Sequence, residues 1–99
     1  MKPVIETAKH TPGPWSTRIA ETGGATEIVA ATKRGLTKVV ARLGGYFRDD
    51  RAANASLLST APEMLEQLES IVEYAESSGS TASWLPAAKA AIRKAKGNL

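Results

Sequence analysis

The chain contains no cysteine, one histidine and only five aromatic side chains among its 99 residues: two Trp, two Tyr and one Phe. Without cysteine there is no disulfide scaffold, no cysteine-ligated zinc and no thiol nucleophile, a pattern that fits a reducing cytoplasm. His10, alone among scattered carboxylates, falls short of the three or four ligands a metal site requires. With so few aromatics, the core must rest on Leu, Ile, Val and Ala. No apolar run approaches the roughly 18–20 residues needed to cross a bilayer. The opening stretch MKPVIETAKH has no apolar region long enough for a secretory signal. The expectation is a cytoplasmic protein with no membrane partner.

The glycines supply no phosphate loop. ETGGAT lacks the GxxxxGK[ST] spacing and TKRG is too short, so both read as hairpin turns, and no cofactor is expected. Serines are plentiful, but none sits in a strand–turn–helix elbow with His10 as its base. The chain is therefore expected not to be an enzyme.

What is present is a pattern of charge. Residues 1–45 carry seven basic side chains against three acidic ones; residues 46–80 carry two against seven; residues 81–99 carry four and no acid. Together they leave a net charge of +3. Alternating blocks of opposite sign point to complementarity within the molecule or between subunits more than to one nucleic-acid-binding face.

Residues 1–9 have no period and few apolar anchors, and are expected to form a flexible arm before a single domain over 10–97. WSTRIA alternates, with Trp15, Thr17 and Ile19 on one side of a pleat. A Gly-Gly turn leads to a second strand in TEIVAAT. TKRGLT turns the chain again, and LTKVVARL forms a third strand with Val39, Ala41 and Leu43 on one face. Three strands on short turns make an antiparallel meander with one face buried and one wet.

Beyond Gly44-Gly45 the period becomes helical. Ala53, Leu57, Leu58 and Ala61 share a face, with Asp49 or Asp50 at the helix start. Pro62 cannot continue that helix but suits the first turn of the next, and Thr60 with Glu63 has capping-box spacing. Met64, Leu65, Leu68, Ile71, Val72 and Ala75 then form one apolar stripe beside five glutamates. After SSGST, Trp84, Leu85, Ala88, Ile92 and Ala95 repeat the spacing in a basic helix that places Lys89, Arg93 and Lys96 on one face. An acidic helix followed by a basic one across a short break predicts an antiparallel pair. The predicted fold is α+β, a three-stranded antiparallel β-meander followed by helices packed on one face (β-β-β-α-α-α).

The segment His10–Trp15, HTPGPW, is the stiffest in the chain. Pro12 and Pro14 fix their φ angles and push their predecessors toward extended backbone. Gly13 admits a close backbone approach or a positive φ. Trp15 is expected to plug between sheet and helices, with burial contributing about 2–3 kcal/mol. Asn54, a poor helix-interior residue unless its amide has a specific partner, is expected to staple its helix to the 10–15 backbone.

The HTPGPW box, the short β-rich middle and AANASLLSTAPEMLEQLESIV together resemble a group of small phage and prophage proteins. That group opens on such a box and continues to a helix of the sense N-A-x-L-x-x-x-A-P-E-L-L-E-x-L. The likeness runs over His10 to Trp15, then Asn54, Ala55, Leu57, Ala61, Pro62, Glu63, Leu65, Glu66 and Leu68; Met64 stands where leucine is common, a volume-conserving change. The resemblance implies a phage-borne accessory gene acting in a bacterial cytoplasm, of the kind that often inhibits host defence, and carries over no catalytic residues.

Protein binding is the expected class of function, with a host protein as partner. The sheet has edges able to pair with another chain, which also suits a strand-to-strand homodimer. The alternative is a homo-oligomer that binds nucleic acid, or a small anionic nucleotide, through a basic sheet face built from Arg18, Lys33, Arg34, Lys38 and Arg42. Such a face would stack bases only if Tyr46 or Phe47 folded over it, and without stacking it would hold phosphates weakly.

Overall fold

The computed structural model describes residues 9–20, 23–44 and 48–98. Three strands come first: β1 (Trp15–Ile19), β2 (Thr26–Ala31) and β3 (Thr37–Leu43). Three helices follow: α1 (Arg48–Ser59), α2 (Ala61–Ser77) and α3 (Leu85–Ala95). The strands pair antiparallel in the order β1-β2-β3, so the architecture is the predicted β-β-β-α-α-α. By internal contacts the described residues form two compact units, one of residues Thr11–Glu63, the other joining Lys9 and His10 to the residues from Met64 onward. The expected arm over 1–8 lies outside the described residues. Lys9, at its end, donates its N–H to the Lys96 carbonyl at 3.0 Å.

In the first unit the central strand forms the core. Thr26, Glu27, Ile28, Val29 and Ala30 are buried in succession, and Ile28 is fully enclosed. Both flanking strands are edges, with mostly exposed side chains. The β2–β3 hairpin closes as its sequence implies: Gly35 N–H donates to Thr32 O, Thr32 N–H to Leu36 O, and Gly35 takes a φ of 77°. That conformation favours glycine and completes a short turn with a bulge.

β3 departs from regular pairing. Ile28 faces Ala41 but Val29 faces Val39, so Val40 is an extra residue, a β-bulge. Directly paired residues share a side of an antiparallel sheet. Lys38, paired with Ala30, therefore stands on the side of Ile28, opposite Arg42, which is paired with Glu27. The expected row of Val39, Ala41 and Leu43 on one face is broken, because an unpaired residue reverses every face N-terminal to it.

α1 packs against β2 and β1. Its buried position is Ala55, whereas Leu57 and Leu58 are 61% and 43% exposed. The expected stripe of Ala53, Leu57, Leu58 and Ala61 is thus not the inward face. ANASLLSTA is apolar around most of its circumference, so period alone does not fix the buried side; the small Ala55 does, by letting the helix lie close. The α1–α2 corner also differs from a capping box: Thr60 Oγ1 donates to Ser56 O at 2.7 Å, completing α1 instead of capping α2. Pro62 sits in the first turn of α2 as predicted.

In the second unit α2 and α3 run antiparallel. Glu76 pairs with Lys89 at 2.8 Å and Glu69 with Lys96 at 2.5 Å, seven residues apart on each helix in opposite chain directions. Val72 and Ala75 are buried. α2 ends in a glycine motif: Gly79, at φ 73°, donates to Glu76 O, and Ser80 N–H reaches back to Ala75 O.

Candidate interaction surface

The proline box is built around close contact. The peptide bond Gly13–Pro14 is cis. A methyl group at residue 13 would stand 2.7 Å from Pro62 Cβ and 3.2 Å from its Cγ, so Gly13 provides the close approach its sequence allows, not a positive φ. This contact joins the box to Pro62 in the first turn of α2, far along the chain. Trp15 is only half-buried, and its indole N–H donates to Thr11 O at 3.1 Å. Asn54 is exposed, and among the described residues its amide makes no bond to the 10–15 backbone. The Trp15 bond braces the box internally and is not the expected tie between Asn54 of α1 and the box.

On the sheet, Arg18 of β1 and Arg42 of β3 both pair with Glu27 of β2, in one row across the full width of the three strands. Arg18 Nε lies 2.8 Å from Glu27 Oε1, while Arg42 places Nε 3.0 Å and Nη2 2.7 Å from Oε2. Glu27 is 3% exposed, beneath arginines that are 47% and 65% exposed. Hydrogen bonds from Arg18, then from Arg42, hold its carboxyl below the ordinary carboxylate range. Two positive charges and one negative leave the row with a net charge of +1.

Of the expected basic face, Arg18 and Arg42 are brought together, Lys38 lies on the other side, and Lys33 with Arg34 is exposed at the hairpin tip. Tyr46 and Phe47 lie outside the described residues. Glu27 was missed as a site residue; its signal was an isolated acid inside an apolar strand, flanked by strands that each carry an arginine. The row beside the triad is Ser16–Val29–Val39, with Val29 buried and Val39 40% exposed.

A second surface lies on α2. Met64, Ile71 and Tyr74 are 45%, 54% and 76% exposed, and their spacing places them along one side of the helix. The predicted apolar stripe therefore divides: Val72 and Ala75 turn inward, while Met64 and Ile71 line its open margin. α3 borders an open depression of about 480 Å³ lined by Ala82, Leu85, Pro86, Lys89 and Arg93 among others, without an acid–base pair. Among the described residues no group of three or more His, Cys, Asp or Glu could hold a metal ion, and no helix is long and apolar enough to cross a membrane.

The model of one protein family, described as Salmonella phage P22 protein Y8K6, matches residues 1–99. The chain belongs to that phage protein family. Neither a curated protein nor a solved structure matches it. The likeness to small phage proteins read from the HTPGPW box and the APE helix thus holds at the level of a phage family.

Proposed function

We propose that the chain is a non-enzymatic accessory protein of a phage or prophage that acts in the bacterial cytoplasm by binding a host protein. Inhibition of a defence system is the most specific form of this reading. The observation that carries it is the Met64–Ile71–Tyr74 strip of α2. Three large apolar side chains are exposed along one side of this helix, and clustered exposure of that kind marks partner surfaces. Membership of a phage family supports the host as the source of the partner.

The alternative, nucleic acid or an anionic nucleotide held on the sheet by a homo-oligomer, has less support. The bulge divides the basic side chains between two faces, and Glu27 offsets one of the two arginines that remain together.

The test is affinity capture from bacterial lysate with the tagged protein, washed at moderate and then high salt, beside an Ile71→Glu/Tyr74→Glu variant. One protein held stoichiometrically through the high-salt wash, rebound when purified and lost with the variant, is the expected result. Nucleic acid that elutes as salt rises, with no dominant protein, would promote the sheet instead.

A further inference from the structure

The row Arg18–Glu27–Arg42 has donor capacity that Glu27 does not use. Glu27 accepts from Nε of Arg18 and from Nε and Nη2 of Arg42. Among the described residues both Nη atoms of Arg18 and Nη1 of Arg42 make no further hydrogen bond, and both side chains are about half exposed or more. Arginine is well suited to planar carboxylates because its fork donates two parallel bonds. A mobile arginine loses rotamer freedom when it binds. Here Glu27 has already fixed both guanidinium groups, so that loss belongs to folding and not to association.

The neighbouring row narrows the ligand. Val39 lies on the same face, two residues along the central strand from the arginines, a separation of roughly 7 Å. It is an exposed aliphatic side chain beside buried Val29. A nucleic-acid backbone would meet there a single net positive charge, an apolar step, and no aromatic side chain among the face's described residues. A protein segment carrying a carboxylate next to an aliphatic residue matches both rows in charge and polarity.

We propose that this sheet face binds a partner-protein segment with an acidic side chain beside an aliphatic one, the carboxylate on Arg18 and Arg42 and the aliphatic group on Val39. The inference rests on the protein-binding function above and names the chemistry of one contact. Both arginines recognise the carboxylate through nitrogens that Glu27 leaves unused. Glu27 is the positioning residue, holding the two forks in one row.

The experiment is a nuclear magnetic resonance titration of the full-length labelled chain, reading the arginine Nε–H and valine methyl signals. The probe is a blocked peptide alternating glutamate and leucine; the comparisons are its glutamine counterpart, inorganic phosphate and a short DNA duplex. Expected are shifts confined to Arg18, Arg42 and Val39 with the acidic peptide, and affinity about ten-fold weaker or worse for the glutamine peptide. Val39→Ser, at an exposed position, keeps the fold and weakens the acidic peptide, while Arg18→Lys keeps the charge and loses the fork.

No shift with up to about 5 mM acidic peptide, a range that reaches millimolar dissociation constants, overturns the proposal. So does equal binding of the glutamine peptide, or a larger response of the same signals to phosphate or DNA. Failure here with host capture intact in Arg18→Lys removes this contact and leaves the protein-binding function standing. Peptide binding without any captured host protein does the reverse.

Discussion

Gly13 and Glu27 fix the two sites where a single side chain decides the local structure. At Gly13 the constraint is contact: even an alanine methyl would stand 2.7 Å from Pro62 Cβ. Gly13→Ala should therefore destabilise the protein by about 1–3 kcal/mol through overpacking. The midpoint of urea denaturation measures this, and an unchanged midpoint would mean that Pro62 gives way freely. At Glu27 the constraint is charge. Its carboxyl is held below the ordinary range by Arg18 and Arg42, so the stability it contributes is complete above the unfolded value of about 4.3 and is lost as pH falls through the lower folded value. Denaturation midpoints should accordingly fall for the wild type as the solution is acidified below about pH 4.3, with a smaller fall in Glu27→Gln over the same window. Parallel curves for the two proteins would remove Glu27 as the titrating group.

The elements were legible to differing degrees. Turn glycines, the proline at the α2 start and the opposed charges of α2 and α3 are local signals, and each element they mark is present. The Val40 bulge is not a local signal: KVVAR reads as an even alternation, and only the pairing with Val29 makes Val40 the extra residue. Deleting Val40 should remove the bulge and leave a regular ladder in which Val39 still faces Val29 and Lys38 still faces Ala30, so that neither side chain changes face; cross-strand amide contacts that moved Lys38 into the Arg42 row would refute this pairing. Between the helices, the two ion pairs differ in exposure. Lys96 and Glu69 are 11% and 37% exposed, Lys89 and Glu76 53% and 46%. Double-mutant cycles should give the exposed pair about 0.2–0.5 kcal/mol of coupling and the Glu69–Lys96 pair more, toward about 1 kcal/mol. Equal couplings would show that burial does not distinguish them.

For the molecule as a whole, the alternating charge blocks have two different uses. The acidic middle and basic end meet as α2 and α3, which is the complementarity that block pattern implies. The basic N-terminal block does not become one cationic face; it is divided by the bulge and partly neutralised by Glu27. What α2 leaves exposed is apolar. Ile71→Glu/Tyr74→Glu should change the unfolding free energy by no more than about 0.5 kcal/mol per substitution, as expected for surface positions, while abolishing host-protein capture. Loss of both together would place these side chains in the fold and not at an interface.

The sequence by itself determined the order and kind of the six elements, the glycine turns, the proline corner and the antiparallel sense of α2 and α3. Those features follow from conformational preference and from charge spaced along one helix, which are properties of neighbouring residues. Only the tertiary structure decided that Ala55 and not the leucines faces inward, that Trp15 and not Asn54 satisfies Thr11, and that Glu27 gathers two arginines. Each of these depends on which residues from distant segments stand opposite one another, and register and close approach are set by packing across the fold.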